Sequence, residues 1–383
     1  MRIASVESFR ISQRFLLVRI EADNGLIGWG EATLESRAAT VATAIGELSG
    51  ILLGADPRRI ELLWQRMYRG GFYRGGPVLG SAVAGIDQAL WDLKGKALGA
   101  PVHELLGGPT RDRVRVYTSV PDGPVDVMVD RARELVAEGY TAMKTAPPAP
   151  LRYLESPAVI DEIVDKWSTV GAAVGTAVDL AVDLHGRFSI AGARQLLNRM
   201  AAIEPLFVEE PQPPELQREI GRVCASTTIP IATGERLYDR WEVGDVIDSG
   251  IAILQPDLAH AHGISEVVRI AALADVHGVH LAPHCATGPV AFAACLQVAL
   301  IIPNFLIQES PLELHAPGRH PWWRFIASAP FRFDDGYVRA PTSPGIGVEV
   351  DEDMVRSAAE DMRDLSEENS PVLTGADGGF AEW

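Results

Sequence analysis

This sequence predicts a (β/α)8 barrel of the TIM type joined to a smaller α+β domain, and three observations carry that expectation. From Asp183 to Glu309 an acidic residue or histidine stands at or near the end of one apolar strand-like run after another: Asp183, Glu209, Glu235, Asp257, His284 and Glu309. The steps between them are 26, 26, 22, 27 and 25 residues, the pitch of repeated strand–helix units in a parallel sheet. Polar residues at the carboxyl ends of successive parallel strands describe the working rim of a barrel. The chain does not begin that way: two strand-like runs from Phe15 and Leu26 meet through Asp23-Asn24-Gly25, a strong antiparallel hairpin signal.

In chain order, residues 1–113 read as the α+β domain. After the hairpin, Ala38 to Leu53 and Arg58 to Met67 have helical periodicity, and Asp56-Pro57 between them suits a cap with proline at the first helical position. Tyr68-Arg-Gly-Gly-Phe-Tyr-Arg-Gly-Gly-Pro77 then places four glycines around aromatics and arginines. Such a loop either bends over a ligand, with Tyr73 and Arg74 nearest it, or turns a corner. Val78 to Leu98 is apolar around most of a helix and predicts burial at a domain junction. The barrel is expected over residues 114–320. It starts at Val114-Arg-Val-Tyr-Thr-Ser, followed by a helix from Val125 to Glu138 that Gly139 stops, and a second strand ending at Lys144. Residues 321–383 read as a tail that rejoins the first domain.

Composition excludes some functions. A net charge of -17 opposes a nucleic-acid partner, because phosphate binding draws on clustered Lys and Arg. Cys224, Cys285 and Cys295 make no Cys-x-x-Cys pair and no even framework, which predicts a reduced, cytoplasmic protein. The N-terminus has no apolar signal core, and the run from Val290 to Ile302 is short and interrupted by Gln297, so no membrane partner is expected.

The chemistry concentrates in Asp183, Glu209 and Glu235. On neighbouring strand ends their carboxylates converge, and three like charges held close require a cation or protonation. A hard oxygen site with open positions suits Mg2+; the alternative is three solvated strand-end acids. His185 lies two residues beyond Asp183, so on extended backbone both side chains face the barrel mouth. His284 lies across the mouth, where Asp257 can fix its tautomer and raise its basicity. Two histidines flanking a carboxylate triad predict an acid/base pair. His260, His262, His277, His280, His315 and His320 read as surface or loop residues.

Longer motifs add a resemblance. They are Gly28-Trp-Gly-Glu31, Gly71-Phe-Tyr-Arg-Gly-Gly-Pro77, Gly85-Ile-Asp-Gln-Ala-Leu-Trp-Asp-Leu-Lys-Gly-Lys96, Phe207-Val-Glu-Glu-Pro211, Leu254-Gln-Pro-Asp-Leu258, Leu281-Ala-Pro-His-Cys285 and Phe380-Ala-Glu-Trp383. Through them nearly the whole chain resembles the mandelate racemase branch of the enolase superfamily, and within it the acid-sugar dehydratases, D-galactonate dehydratase among them. The resemblance implies a modified barrel with a capping domain formed by both termini, and a homo-oligomer. It implies Mg2+ held by Asp183, Glu209 and Glu235, His284 as base with Asp257 as its partner, and His185 as acid. Glu309 and Lys144 fall beside the substrate. The implied activity removes the C2 proton of a galactonate-like sugar acid and eliminates the 3-hydroxyl, giving a 2-keto-3-deoxy acid. Two alternatives are a racemase or epimerase of a 2-hydroxy acid and a catalytically silent sugar-acid binder. Racemases of this branch carry Lys-x-Lys on the second strand, whereas here the stretch is Lys144-Thr145-Ala146. Galactonate dehydratases place Asn near Ala146 and Gly where His262 stands.

Overall fold

The computed structural model describes residues 1–316, 320–327, 330–362, 372–375 and 377–382. Its first sheet is antiparallel, with β1 (Ile3–Arg10), β2 (Leu16–Ala22) and β3 (Ile27–Glu31) in that order. The β2–β3 turn is the expected one, with Gly25 at φ 81°, a conformation glycine adopts without steric cost. β1 was not legible in the sequence, because most of its residues are only half-buried and show no clean alternation. Helices α1 (Ala38–Leu52), α2 (Ile60–Arg69) and α3 (Pro77–Leu98) cover this sheet. α2 starts later than Asp56-Pro57 suggested: Asp56 instead accepts the Arg58 amide in a local turn at 3.0 Å, and the helix begins three residues beyond the proline.

α3 lies directly on β3 and joins the two halves of the molecule. A Cβ on Gly28 would fall 2.1 Å from the Ala89 carbonyl oxygen, and one on Gly30 would fall 2.0 Å from that of Gly85. Both positions therefore require glycine, which gives the Gly-Trp-Gly-Glu motif a packing reason.

After the short α4 (Val102–Leu105), eight parallel strands run in sequence order. They are β4 (Arg113–Ser119), β5 (Ala142–Thr145), β6 (Asp179–Asp183), β7 (Val208–Glu209), β8 (Ile231–Thr233), β9 (Ile253–Leu254), β10 (His280–Leu281) and β11 (Gln308–Glu309). β11 pairs back onto β4 with Glu309 opposite Tyr117, and a parallel bridge from Leu281 to Phe305 completes the ring. Tyr117, Ala142, Ala181, Phe207, Ala232, Ile253, Ala282 and Ile307 fill the interior, with small residues between large ones as a closed barrel requires.

Outside pack α5 (Val125–Ala137), α6 (Pro157–Val174), α7 (Ile190–Met200), the single-turn α8 (Gly221–Cys224), α9 (Arg240–Gly244), α10 (Ile264–Val276) and α11 (Pro289–Ile301). No helix among the described residues is long and apolar enough to cross a membrane.

The tail divides between the two halves. β12 (Phe333–Asp334) and β13 (Tyr337–Arg339) form a hairpin whose second strand pairs antiparallel with the start of β4. α12 (Glu352–Asp361) returns to the N-terminal sheet, where Arg356 meets Glu7 at 3.1 Å and Glu352 meets Arg19 at 3.1 Å. β14 (Leu373–Thr374) and β15 (Phe380–Ala381) lie instead beside the loop after β5, through a bridge from Glu382 to Leu151. Thus α12 returns to the first domain, as does the stretch at Gly345 and Ile346, where the Ile346 amide donates to Asp92 of α3 at 3.0 Å and Gly345 bridges to Pro101, while the two tail hairpins do not. Trp383 of the last motif above lies outside the described residues.

Candidate active site

The parallel strands present their carboxyl ends on one rim. Lys144 is the penultimate residue of β5, Asp183 closes β6, Glu209 closes β7 and Glu309 closes β11. Glu235, Asp257 and His284 stand two or three residues beyond β8, β9 and β10. Asp183, Glu209 and Glu235 each bring one oxygen to a common point, all three within 4.8 Å of one another. Asp183 and Glu209 are buried and Glu235 is half-buried, so the cluster opens on Glu235's side.

The electrostatics favour a cation there. Glu209 Oε1 is buried without a hydrogen-bond partner. Burial, and then the neighbouring Asp183 charge, push the Glu209 carboxyl well above its ordinary range. Burial opposes ionisation of Asp183 too, but Lys144 and His185 outweigh it and hold that carboxyl low. Lys144 Nζ lies 2.9 Å from Glu209, 2.9 Å from Glu309 and 3.1 Å from Asp183. Burial works against the Lys144 charge, yet Glu209 and Glu309 keep it protonated far above its usual range. One ammonium among so many carboxylates leaves an excess of hard oxygen donors, including an orphan oxygen, which fits a divalent cation such as Mg2+. Of the two consecutive glutamates, Glu210 turns away, with φ 43°, and is held by Thr233, Gln217, the Gly234 amide and Arg236.

His284 Nδ1 is 2.6 Å from Asp257 Oδ2, and its Nε2 faces Glu235 Oε2 at 3.3 Å. Burial alone would discharge this imidazole, but Glu235, Glu309 and Asp257 raise its pKa well above the ordinary value. His185 also reaches the cluster, with Nε2 3.0 Å from Asp183 Oδ2. It does not arrive there by strand alternation: its φ is 51°, and the chain turns after Asp183 so that the His185 amide donates to Asp183 Oδ1 at 2.9 Å. The extended geometry expected for this pair is therefore replaced by a tight turn that folds the ring back onto the carboxylate.

Of the histidines read as surface or loop residues, His260 and His262 lie in the turn after β9, the first half-buried and the second fully buried. His260 sits behind Asp257, its Nε2 3.7 Å from Asp257 Oδ2 and its Nδ1 3.0 Å from the Ser81 hydroxyl on α3. His262 bonds the Tyr238 carbonyl at 2.8 Å beneath the rings of Trp64 and Tyr68. Tyr73 is 86 % exposed, and Arg74 donates to the carbonyls of Gly71 and Arg69 in its own loop. Among the described residues neither pairs with the site carboxylates or histidines, so the structure does not bring this predicted pair to the cluster.

Against known families, residues 3–107 match the mandelate racemase/muconate lactonizing enzyme N-terminal domain, and residues 127–354 match the enolase C-terminal domain-like family. The chain belongs to the mandelate racemase branch of the enolase superfamily. Curated relatives in this branch include D-galactonate dehydratases of Variovorax paradoxus, 46% identical, and Ralstonia nicotianae, 43% identical, each aligned over 100% of both chains. Among solved structures, a provisionally assigned galactarate dehydratase from Agrobacterium radiobacter, with sodium and L-malate bound, superposes with a TM-score of 0.91 at 32% identity, covering 100% of each chain. The modified barrel with a capping domain expected from the sequence is the fold of this superfamily. Within it, His260 is the rim residue that sequence reasoning missed. Its one signal was a spacing of three residues from Asp257, the reach of a single turn.

Proposed function

We propose that this dehydratase of the mandelate racemase branch acts on a galactonate-like aldonate, with Asp183, Glu209 and Glu235 holding Mg2+. The observation that carries the reading is the pair of histidines, His185 after β6 and His284 after β10, set around one carboxylate triad. Mg2+ at that triad would supply the positive charge that stabilises a substrate carboxylate as it becomes a dianion. Asp257 accepts a hydrogen bond from the Nδ1–H of His284, which leaves Nε2 on the triad side as the atom that accepts the C2 proton. His185 donates a proton to the departing 3-hydroxyl; the C3–O bond breaks, water leaves, and the enol tautomerises to the 2-keto-3-deoxy acid. Lys144 and Glu309 lie 2.9 Å apart at the same rim and orient the substrate carboxylate. The position just after β5 that would carry a second base is Ala146, which favours elimination over racemisation.

A panel of acid sugars incubated with Mg2+ in deuterated water tests the reading. Dehydration yields a 2-keto acid. C2 exchange without loss of water identifies a racemase or epimerase, and neither product identifies a silent binder.

A further inference from the structure

The capping domain reaches the His284–Asp257 pair through buried polar groups. Glu31, the last residue of β3, is 1% exposed and crosses to the barrel. Its carboxylate accepts the amides of Gly288 at 2.7 Å and Ala291 at 3.0 Å, where α11 begins just after the loop that carries His284. A Cβ on Gly288 would stand 2.9 Å from both carboxylate oxygens, so Glu31 is seated against bare backbone. The other end of the same loop is pinned where the Cys285 amide donates to Glu309 at 3.0 Å.

Gln88 of α3 connects this anchor to the second member of the pair. Its side-chain oxygen accepts the Glu31 amide at 3.1 Å, while its nitrogen donates to the carbonyls of Glu31 and Leu258, each at 3.1 Å. Leu258 adjoins Asp257. Glu31 and Gln88 thus join the backbone beside Asp257 to the backbone beyond His284, and both are shut off from solvent. Residues that merely attached the cap would have no need to grip both loops by their main chains. Apolar packing of α3 could serve that purpose.

We propose, on the dehydratase reading above, that Glu31 and Gln88 are positioning residues that hold the His284–Asp257 pair in register with the triad. Neither touches a metal ligand's side chain or the open mouth. Their effect passes through the loops, and a misplacement of about 1 Å can cost ~10²-fold in rate.

The test uses Glu31→Ala, Glu31→Gln and Gln88→Met in the full-length enzyme with Mg2+. We expect kcat to fall ~10- to 100-fold in Glu31→Ala and Gln88→Met, the usual range when a partner behind a site residue is lost, with KM and Mg2+ affinity within about 3-fold. Glu31→Gln, which keeps an oxygen for one amide, should recover most of the rate. Unchanged kcat per folded molecule with only a lower Tm would reduce both residues to cap attachments and overturn the proposal. Should Glu31→Ala fail to fold, Gln88→Met and Glu31→Gln carry the comparison. Hydrogen exchange of segments 256–260 and 283–291 needs no substrate and judges the coupling separately. Joint loss of protection in Gln88→Met supports it, and loss confined to one segment overturns it. A wild-type enzyme inert on every acid sugar would sink the dehydratase reading, and that exchange result would still decide the positioning.

Discussion

His284 and Asp257 form the shortest polar contact of the rim histidines, Nδ1 to Oδ2 at 2.6 Å, and the bond leaves the second ring nitrogen facing Glu235. Burial raises the cost of the Asp257 charge, yet His260 and His284 together keep that carboxyl below its ordinary range. Asp257 is therefore an anion aimed at one imidazole nitrogen. Asp257→Asn should lower kcat ~10²- to 10⁴-fold, with KM changed far less, because an amide neither fixes the tautomer nor stabilises the imidazolium. Steady-state formation of 2-keto acid measures this. A kcat within about 3-fold of wild type would make the contact structural only.

Glu235→Gln should abolish turnover by weakening Mg2+ binding, since it removes one of three convergent anions at nearly constant volume. Calorimetric titration with Mg2+ reads the loss directly. Retained affinity together with retained activity would dismiss the triad as the metal site.

The Gly70–Pro77 loop stands open, with Phe72 91 % and Tyr73 86 % exposed. Its root is fixed by the Tyr68 hydroxyl on Asp239 at 2.8 Å, while Arg74 at its tip bonds the carbonyls of Gly71 and Arg69 and the Phe72 and Tyr73 rings meet edge to face. If it closes as a lid, Mg2+ with an acid sugar should slow tryptic cleavage after Arg69 and Arg74 several-fold. Tyr73→Ser should then change the ratio of kcat/KM between two acid sugars. Identical cleavage with and without ligand would leave a fixed corner.

Asp87 supplies a pH test of the domain junction. It is buried on α3, where it accepts the Ser265 amide at 2.9 Å and the Ser265 hydroxyl at 2.6 Å, and burial pushes its carboxyl up to about 7. The unfolded chain releases that proton near 3.8. Between those values the native state holds a proton that the unfolded state has lost, so this contribution is full below about 4 and disappears as pH rises through about 7. At ~1.4 kcal/mol per pH unit it amounts to roughly 4 kcal/mol at most. Denaturant melts at acid and neutral pH should show a flatter pH dependence in Asp87→Asn than in wild type. An equal dependence in both would mean that Asp87 folds as an anion.

Much of this architecture was legible because a barrel repeats. The triad follows from a strand–helix pitch that returns an acid to the same rim each time, and that pitch survives even where β7, β9, β10 and β11 shrink to two paired residues. Features set by turns were not legible. His185 comes back onto Asp183 through a left-handed residue, and His260 comes beside Asp257 through a bend after β9, neither of which alternation can foresee. The same limit hid Glu31, whose partners Gly288 and Ala291 lie at the start of a helix of the other domain. The sequence did show that Gly28-Trp-Gly-Glu31 was a motif. Only packing reveals that its glycines admit α3 and that its glutamate reaches α11.

The two rim histidines separate by isotope exchange. His284→Asn should stop both C2 deuterium exchange and dehydration, because the group that takes the C2 proton is gone. His185→Asn should block dehydration by ~10²- to 10⁴-fold, the usual worth of general-acid help, while slow C2 exchange continues. The geometry supports this division, since His284 has its own carboxylate partner in Asp257 whereas His185 pairs with Asp183, a member of the triad. Mass spectrometry of recovered substrate reads the exchange, and 2-keto acid formation reads the elimination. Exchange kept in His284→Asn but lost in His185→Asn would reverse the assignment and move the base to the turn after β6. Retained dehydration in both variants would remove the pair from the chemistry altogether and leave the triad to act with some other proton carrier.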